Sequence, residues 1–369
     1  MEKSNLHIEI VRSSTSGLSS MSEESAKSIF GVLARHFTQV GLSVINNLND
    51  LRSLAAARPD IVFLGMEFIP SDPLLGFSDP KKIWLSEFLD SHHITYTGSA
   101  KKAHELERNK PLAKQRVMDY DLKSSPFQVV SDPSQLTKTE LLLGYPLFVK
   151  PANRGGGLGI DSQSVVRDFN QLSSKVSSII TNLHSDALIE EYLPGREFSV
   201  AILKDEFTNN YLALPIELVA PPDNNGARLL SSQVKALNAE SVLEIVDEDI
   251  KKSVNTLALG AFHALGGQDY GRIDIRLDAT GRPNFLEANL IPSLISGYGS
   301  FPKACVLNID LDYEPMILRI VSLAIKRKNI TIPQIIEGRT PEPLIMTLTA
   351  NIPDVDTVTE IIALADPIS

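Results

Sequence analysis

A chain of 369 residues, 43% hydrophobic and 22% charged, is long enough to bury a large core and to divide into two or three domains. Its net charge of −10 argues against nucleic acid or an anionic membrane as partner, so a bound polyphosphate needs a local basic pocket. The single cysteine, Cys305, excludes an intrachain disulfide and points to a reducing compartment. The start, MEKSNLHIEIV, lacks an apolar signal core, and no apolar run is long enough to span a bilayer, so the expectation is a cytoplasmic protein.

Residues 7–11 predict a first strand, followed by a polar loop over 12–20 and a helix over 23–40. Strands at 42–45 and 61–65, alternating with helix, predict βαβ units around a parallel sheet. Residues 66–79 read as a loop. Asp79-Pro80 then reads as an N-cap followed by proline in the first turn of a helix that runs to Ser91. His92 and His93 are adjacent and do not face each other on a helix, so they read as a solvated helix end. A short strand follows at 94–97. Ser99 is a candidate cap for one short helix and Asn109 for the next. That second helix carries Lys110 and Lys114 on one face, and taken alone they read as surface lysines.

YPLFVKP, 145–151, reads as a buried strand ending in Lys150. ANRGGGLGID follows, a glycine loop (Gly155, Gly156, Gly157, Gly159) whose backbone N–H groups can approach phosphates, with Lys150 as a point charge. It is neither a Walker A motif nor a Rossmann fingerprint, and an ordinary flexible loop would look the same. After a helix over 168–181, ALIEEYLPGREFSVAILK (187–204) reads as strand, Pro-Gly turn and strand. An acid near that turn can hold ribose hydroxyls, and the backbone around Leu193 can read an adenine edge. A surface hairpin with acidic edges is the plainer alternative. Residues 221–240, with Asn224-Asn225-Gly226 at a turn and Lys235 later, form a loop long enough to be a lid. An amphipathic helix over 248–265 leads into the most informative stretch.

That stretch is GRIDIRLDATGRPNFLEAN, 271–289. Arg272, Asp274 and Arg276 alternate with Ile273, Ile275 and Leu277, the period of a half-buried strand. Ala279-Thr280-Gly281 turns the chain, and a second strand over 283–289 carries Glu287 and Asn289 on one face. Across a hairpin, Asp274 can join them. Two carboxylates and an amide oxygen make a hard-ligand set suited to Mg²⁺; a solvated face laced with cross-strand ion pairs would use the same residues. Residues 289–302 are irregular, a helix spans 313–328, and the proline-rich remainder holds a candidate strand at 344–348 and helix at 355–365.

In order and spacing from Ser99 to Lys328, and more loosely before it, these segments resemble ATP-grasp ligases, most closely the D-alanine–D-alanine ligase family. The resemblance implies an α/β (α+β) ATP-grasp fold. It comprises an N-terminal βαβ substrate-side domain over 1–107, a central subdomain over 108–193, a C-terminal subdomain with the metal site over 194–328, and an extension over 329–369. NKPLAK and PLFVKP resemble the family's two phosphate-gripping lysines, which implies Lys110 and Lys150, with Gly155, Gly156 and Gly157 in the phosphate loop. IEEYLPGREF resembles the adenine hinge and ribose acid, implying Glu190, Glu191, Leu193 and Glu197. Lys235, in SSQVKALNAE, is the matching lid lysine. GRID…LEAN implies Asp274, Glu287 and Asn289 as ligands of Mg²⁺ (or Mn²⁺) and Arg272 as the clamp on phosphate and oxyanion.

The implied chemistry is phosphorylation of a carboxylate by ATP to an acyl phosphate, then attack by an amine. The partners are small-molecule carboxylate and amino-acid substrates, and the resemblance favours a homodimer. Departures cluster where substrates bind. Gly156 and Gly157 replace serines, Ser293 follows Pro292 where the family has glycine, and Tyr298-Gly299 replaces a serine-leucine pair. Ser293 and Tyr298 therefore stand as substrate-side candidates. The family's His-Glu-Val-Ser, His-Gly and Gly-Glu-Asp-Gly segments have no clear counterpart in 12–22, at Gly65-Met66 or over 78–82. The expectation is a peptide or amide ligase of specialised metabolism. The alternatives are a D-alanine–D-alanine ligase with an altered pocket, a nucleotide-binding protein without catalysis, and a phosphotransferase that keeps its phosphorylated product.

Overall fold

The structure, a computed structural model, describes residues 4–15, 17–139, 141–223 and 226–337. Residues 1–329 form one compact unit and 330–369 a second, of which only the helical backbone to Glu337 is described. The strand expected at 344–348 and the helix at 355–365 lie outside the described residues. No helix among the described residues is long and apolar enough to cross a membrane.

The chain opens with β1 (Ser4–Arg12), α1 (Glu23–His36), β2 (Phe37–Val44), α2 (Leu48–Ala56) and β3 (Ile61–Leu64). Ser22 caps α1 by accepting from the Ser25 N–H at 3.1 Å. The helix stops at His36, short of the expected 40, because Phe37-Thr38-Gln39-Val40 is aromatic and β-branched and pairs with β1 instead, His7 opposite Gln39. Next come β4 (Phe68–Pro70), β5 (Lys82–Trp84), α3 (Leu85–Ser91) and β6 (Thr95–Tyr96). The parallel sheet has the order β2-β1-β3-β6. Asp79 does not cap a helix. Its carboxylate accepts from the N–H groups of Asp72 and Lys81, and β5 forms an antiparallel ribbon with β4, so α3 begins only at Leu85. Trp84 and Phe68 are cross-strand partners within that ribbon, ring centroids 5.4 Å apart.

Two short helices follow, α4 (Lys101–Arg108) and α5 (Lys110–Met118). Ser99 does not cap α4; its hydroxyl accepts from the Gln268 N–H at 3.0 Å. Asn109 does cap α5, accepting from the Leu112 N–H at 3.1 Å, with Pro111 in the first turn.

The next elements are β7 (Phe127–Val130), β8 (Leu147–Pro151), β9 (Val165–Val166), α6 (Phe169–Leu183) and β10 (Ala187–Glu191), whose strands form an antiparallel sheet of order β7-β10-β8-β9. The rest comprises β11 (Glu197–Lys204), β12 (Tyr211–Val219), α7 (Ser232–Leu237), β13 (Ser241–Leu243), α8 (Glu248–Ala264), β14 (Tyr270–Leu277), β15 (Pro283–Asn289), α9 (Ser300–Ile309) and α10 (Tyr313–Glu337). The third sheet has the order β13-β12-β11-β14-β15. The expected strands of 187–204 form, but the turn between them does not pair them, so the plainer hairpin alternative falls: β10 and β11 belong to different sheets. Gly195 allows the passage, since a Cβ there would lie 2.6 Å from the Leu277 carbonyl oxygen.

Alternation along β11 sorts the two faces of the five-stranded sheet. Phe198, Val200 and Ile202 pack with Ile273 and Ile275 against α8. Ala201 and Leu203 pack with Leu214 and Ile216 against α9, α10 and α1. Cys305 is buried in the second of these cores, which accounts for a thiol that pairs with nothing.

Candidate active site

The hairpin β14–β15 forms as expected, with Gly281 at φ +80° in its turn. Asp274 lies opposite Glu287 and Arg272 opposite Asn289. The register slips beside this pair: Asp274 and Ile275 face Glu287 and Phe285, so Leu286 is an extra residue, a β-bulge. Phe285 and Ala288 remain in the core, while Leu286 and Glu287 both line a cavity where the central and five-stranded sheets meet.

Lys150 at the end of β8 and Glu190 on β10 form the back wall of this cavity. Adjacent antiparallel strands place Lys150 next to Leu188, and Glu190 reaches both its own lysine neighbours, Lys150 at 2.8 Å and Lys114 at 2.5 Å. Lys114 also donates to Ser124, Ser125 and the Phe285 carbonyl oxygen, at 2.9, 3.1 and 3.1 Å. Burial alone would raise the Glu190 carboxyl, but the two lysines bring it down to about 2. Burial pushes Lys114 down to about 8, only partly offset by the single carboxylate it shares. The expected surface lysines are thus buried, and Glu190 is not free to meet a nucleotide: both its oxygens are committed to lysines.

The front of the site is more open. Lys110 lies 3.5 Å from Glu287, and its ammonium also donates to the Arg154 carbonyl oxygen. Burial would raise the Glu287 carboxyl; Lys110, Lys150, Lys235 and Arg272 together bring it down to about 2. Arg272 grips Asp274 with two bonds of 2.9 Å and turns Nη1 toward Ser300 Oγ at 3.4 Å. Ser199 donates to Asp274 at 3.1 Å, and the Asn289 amide donates to it at 3.3 Å. Glu287, ionised at neutral pH, and the Asn289 amide oxygen supply hard donors of the kind that Mg²⁺ takes, on a stiff hairpin; Asp274 beside them is filled by Arg272, Ser199 and Asn289 and joins the set where Arg272 turns from it to a ligand. The residues fit such an ion.

Phe148, Ile160, Leu193, Leu229 and Leu286 give the cavity apolar walls. Glu191 and Glu197 line it as well, Glu197 held by Arg276 at 2.8 Å. Lys235 lines it from α7, a short helix inside the expected loop, capped by Ser231. The glycine loop lies beneath this lid. Gly157 has φ +78°, and a Cβ there would sit 2.9 Å from the Ser232 nitrogen, so a serine there would be strained. Gly155 and Gly156 face open space.

Ser293 and Tyr298 are not brought to the cavity wall; the Tyr298 hydroxyl donates instead to the Lys235 carbonyl, tying the 290–300 segment to the lid. Sequence reasoning carried over Lys110 but not Lys114, four residues on, whose spacing was the available signal. It also passed over Ser125, Tyr192 and Arg276, which line the cavity. A further grouping, Glu67, His104 and Glu107, has metal-type donors. Glu107, however, accepts from His104 at 3.0 Å and from the Leu290 N–H at 2.8 Å, and Arg108 approaches Glu67 at 3.4 Å, so it reads as a brace between α4 and β15.

A family model described as "D-ala D-ala ligase C-terminus" matches residues 117–322, more than half of the chain. A D-alanine–D-alanine ligase of Hydrogenovibrio crunogenus is 30% identical over 246 residues, 64% of this chain and 72% of that one. One of Acinetobacter baylyi is 28% identical over 240 residues, again 64% of this chain and 72% of the relative. The fold matches a crystal structure of D-alanine–D-alanine ligase from Bacillus anthracis complexed with ATP, with a TM-score of 0.68 and 19% identity, covering 88% of this chain and 99% of the other.

Proposed function

Because this chain belongs to the D-alanine–D-alanine ligase family of C–N bond-forming ATP-grasp ligases, we propose that it joins a carboxylic acid to an amine through an acyl phosphate made from ATP. An amino acid stands on at least one side. The observation that carries this reading is the convergence of Lys110, Lys150, Lys235 and Arg272 on Glu287, beside Asp274, against a chain of net charge −10.

Lys110 and Lys150 hold phosphate oxygens and Lys235 closes from the lid, a positioning role suited to phosphoryl transfer. Asp274, Glu287 and Asn289 would hold Mg²⁺, which would supply charge neutralisation to the phosphates. The acid's carboxylate oxygen bonds to the terminal phosphorus as ADP departs. The amine then bonds to the acyl carbon, the acyl C–O bond breaks, and phosphate departs carrying the proton that the amine gives up. Arg272 faces the oxyanion of that second step, and the apolar walls and lid keep water from the acyl phosphate. In this reading residues 1–107 form the substrate side, 108–193 and 194–328 clasp the nucleotide, and the enzyme works as a homodimer.

The substrate side supports a pair other than two D-alanines, in specialised metabolism. The family's serine at 157 would be strained under this lid, and Ser293 and Tyr298 stand off the cavity. The named relatives favour a second reading, D-alanine–D-alanine ligase itself. Phosphate release from Mg·ATP, measured across carboxylic acids paired with amino acids and with D-alanine, separates the two. Release with another pair is the expected result; release with D-alanine alone establishes the second reading, and ATP binding without release from any pair overturns both.

A further inference from the structure

Three cations gather on two aromatic rings. The Arg108 guanidinium lies 4.3 Å from the Phe77 ring centre and 4.8 Å from that of Phe68. The Arg154 guanidinium lies 4.6 Å from Phe77, and the Lys82 ammonium 5.1 Å from Phe68. They come from three separate stretches: Arg108 ends α4, Lys82 opens β5, and Arg154 stands in the glycine loop after β8. Phe68 is buried against Trp84, so the ring that two of them share is fixed in place.

Cation–π contacts of this kind contribute about 0.5–2 kcal/mol each and hold the groups where mutual repulsion would spread them. At Lys82 and Arg108 little anionic charge offsets that repulsion. Of Lys82 and Arg108, only Arg108 has a carboxylate at ion-pair distance among the described residues, Glu67 at 3.4 Å. Burial pushes the Glu67 carboxyl up despite Arg108, which weakens that pairing. The Asp79 carboxylate near Lys82 accepts from two backbone N–H groups, and the Lys82 ammonium itself donates to the Asp79 carbonyl. Burial and then Arg108 lower the proton affinity of both Lys82 and Arg154. Arg154 donates to the Leu183 carbonyl oxygen at 2.8 Å, and a bound anion would relieve Lys82 and Arg108 beside it.

The cluster adjoins the reacting centre proposed above. Lys110 donates to the Arg154 carbonyl and stands 3.5 Å from Glu287, so a single lysine links the two. We propose that Lys82, Arg108 and Arg154 bind a second anionic group, a carboxylate or a phosphate, on the acid that is activated, so that the preferred acid carries at least two negative groups. This inference rests on the ligase reading and names its substrate class.

Hydroxylamine tests it without knowledge of the natural amine, because it converts any acyl phosphate to a hydroxamate. The intact enzyme, Mg·ATP and hydroxylamine are offered acetate, propionate and D-alanine in one arm, and succinate, glutarate, L-glutamate and O-phospho-L-serine in the other. Hydroxamate is expected in the second arm, where the dicarboxylic acids and the phosphorylated one distinguish the two anions. Lys82→Gln and Arg108→Gln should each raise KM for the responding acid about tenfold or more, the loss of one charge-assisted hydrogen bond, with kcat and calorimetric ATP affinity unchanged. Unchanged ATP affinity also shows that each variant is folded. Equal trapping of the first arm, or variants that weaken ATP in place of the acid, overturns the subsite and leaves the ligase standing. No hydroxamate from any acid, with ATP still bound, overturns the ligase reading and this inference with it.

Discussion

The back wall of the cavity and its front face each centre on one glutamate, and the two are charged alike. Glu190 and Glu287 are both ringed by lysines and both held at about 2. They differ in what is left over. Glu190 is 3% exposed and has Lys114 and Ser125 on one oxygen and Lys150 on the other. Glu287 is 22% exposed, and its nearest cation stands 3.5 Å away. A carboxylate has about four acceptor positions. Where neighbours fill them it holds structure together; where they do not, it is available to a ligand. Charge alone does not distinguish the two regions, but saturation does.

The largest effect should come from breaking the back wall. Glu190→Gln leaves two buried lysines without an anion and should cost about 3–5 kcal/mol of stability in urea unfolding. A loss no larger than that of an exposed substitution would erase the contrast. The same residue predicts acid behaviour. Its folded value lies below the ordinary 4.5, so its stabilisation is complete above 4.5 and disappears as pH falls through about 2. The variant should flatten the stability profile across that window.

Glu287→Gln should act on rate more than on stability. Turnover should fall by about 10²–10³-fold, with the unfolding midpoint much closer to the parent's than in Glu190→Gln. An equal drop in midpoint would make the front face structural too. Gly157→Ala extends the contrast to the lid above Glu287. Its φ of +78° and the close Ser232 nitrogen should add about 1–2 kcal/mol to lid closure, seen as a higher KM for ATP. The smallest effect sets the baseline: Arg35→Ala breaks an exposed pair with Glu314 and should leave both turnover and midpoint where they are.

How much of this could be read from the chain depended on whether the signal was local. The alternation of Arg272, Asp274 and Arg276 with three aliphatic residues is local, and the hairpin formed as read. So is the cap at Asn109. Lys114 is different: nothing within its helix distinguishes a surface lysine from a buried one, and Glu190, which decides the matter, is 76 residues away along the chain. Leu-Pro-Gly-Arg at 193–196 likewise carries the signature of a turn whether the strands on either side pair or part, and here they enter separate sheets. The end of α1 had no stop residue to mark it; pairing with β1 ended it. Asp79-Pro80 had every mark of a helix start, but the carboxylate was taken by its own loop.

The bulge at Leu286 has a consequence for how such a pocket can change over time. A strand one residue shorter, lacking Leu286, would still alternate correctly, with Phe285 and Ala288 inward and Glu287 and Asn289 beside Asp274. What would vanish is one apolar wall of the cavity and the extra twist that a bulge adds to its strand. A three-base deletion at this point would thus reshape the room around the nucleotide while leaving every ionised group in its row. Substitution is not the only path by which this pocket can diverge from its relatives'; chain length at one position is another.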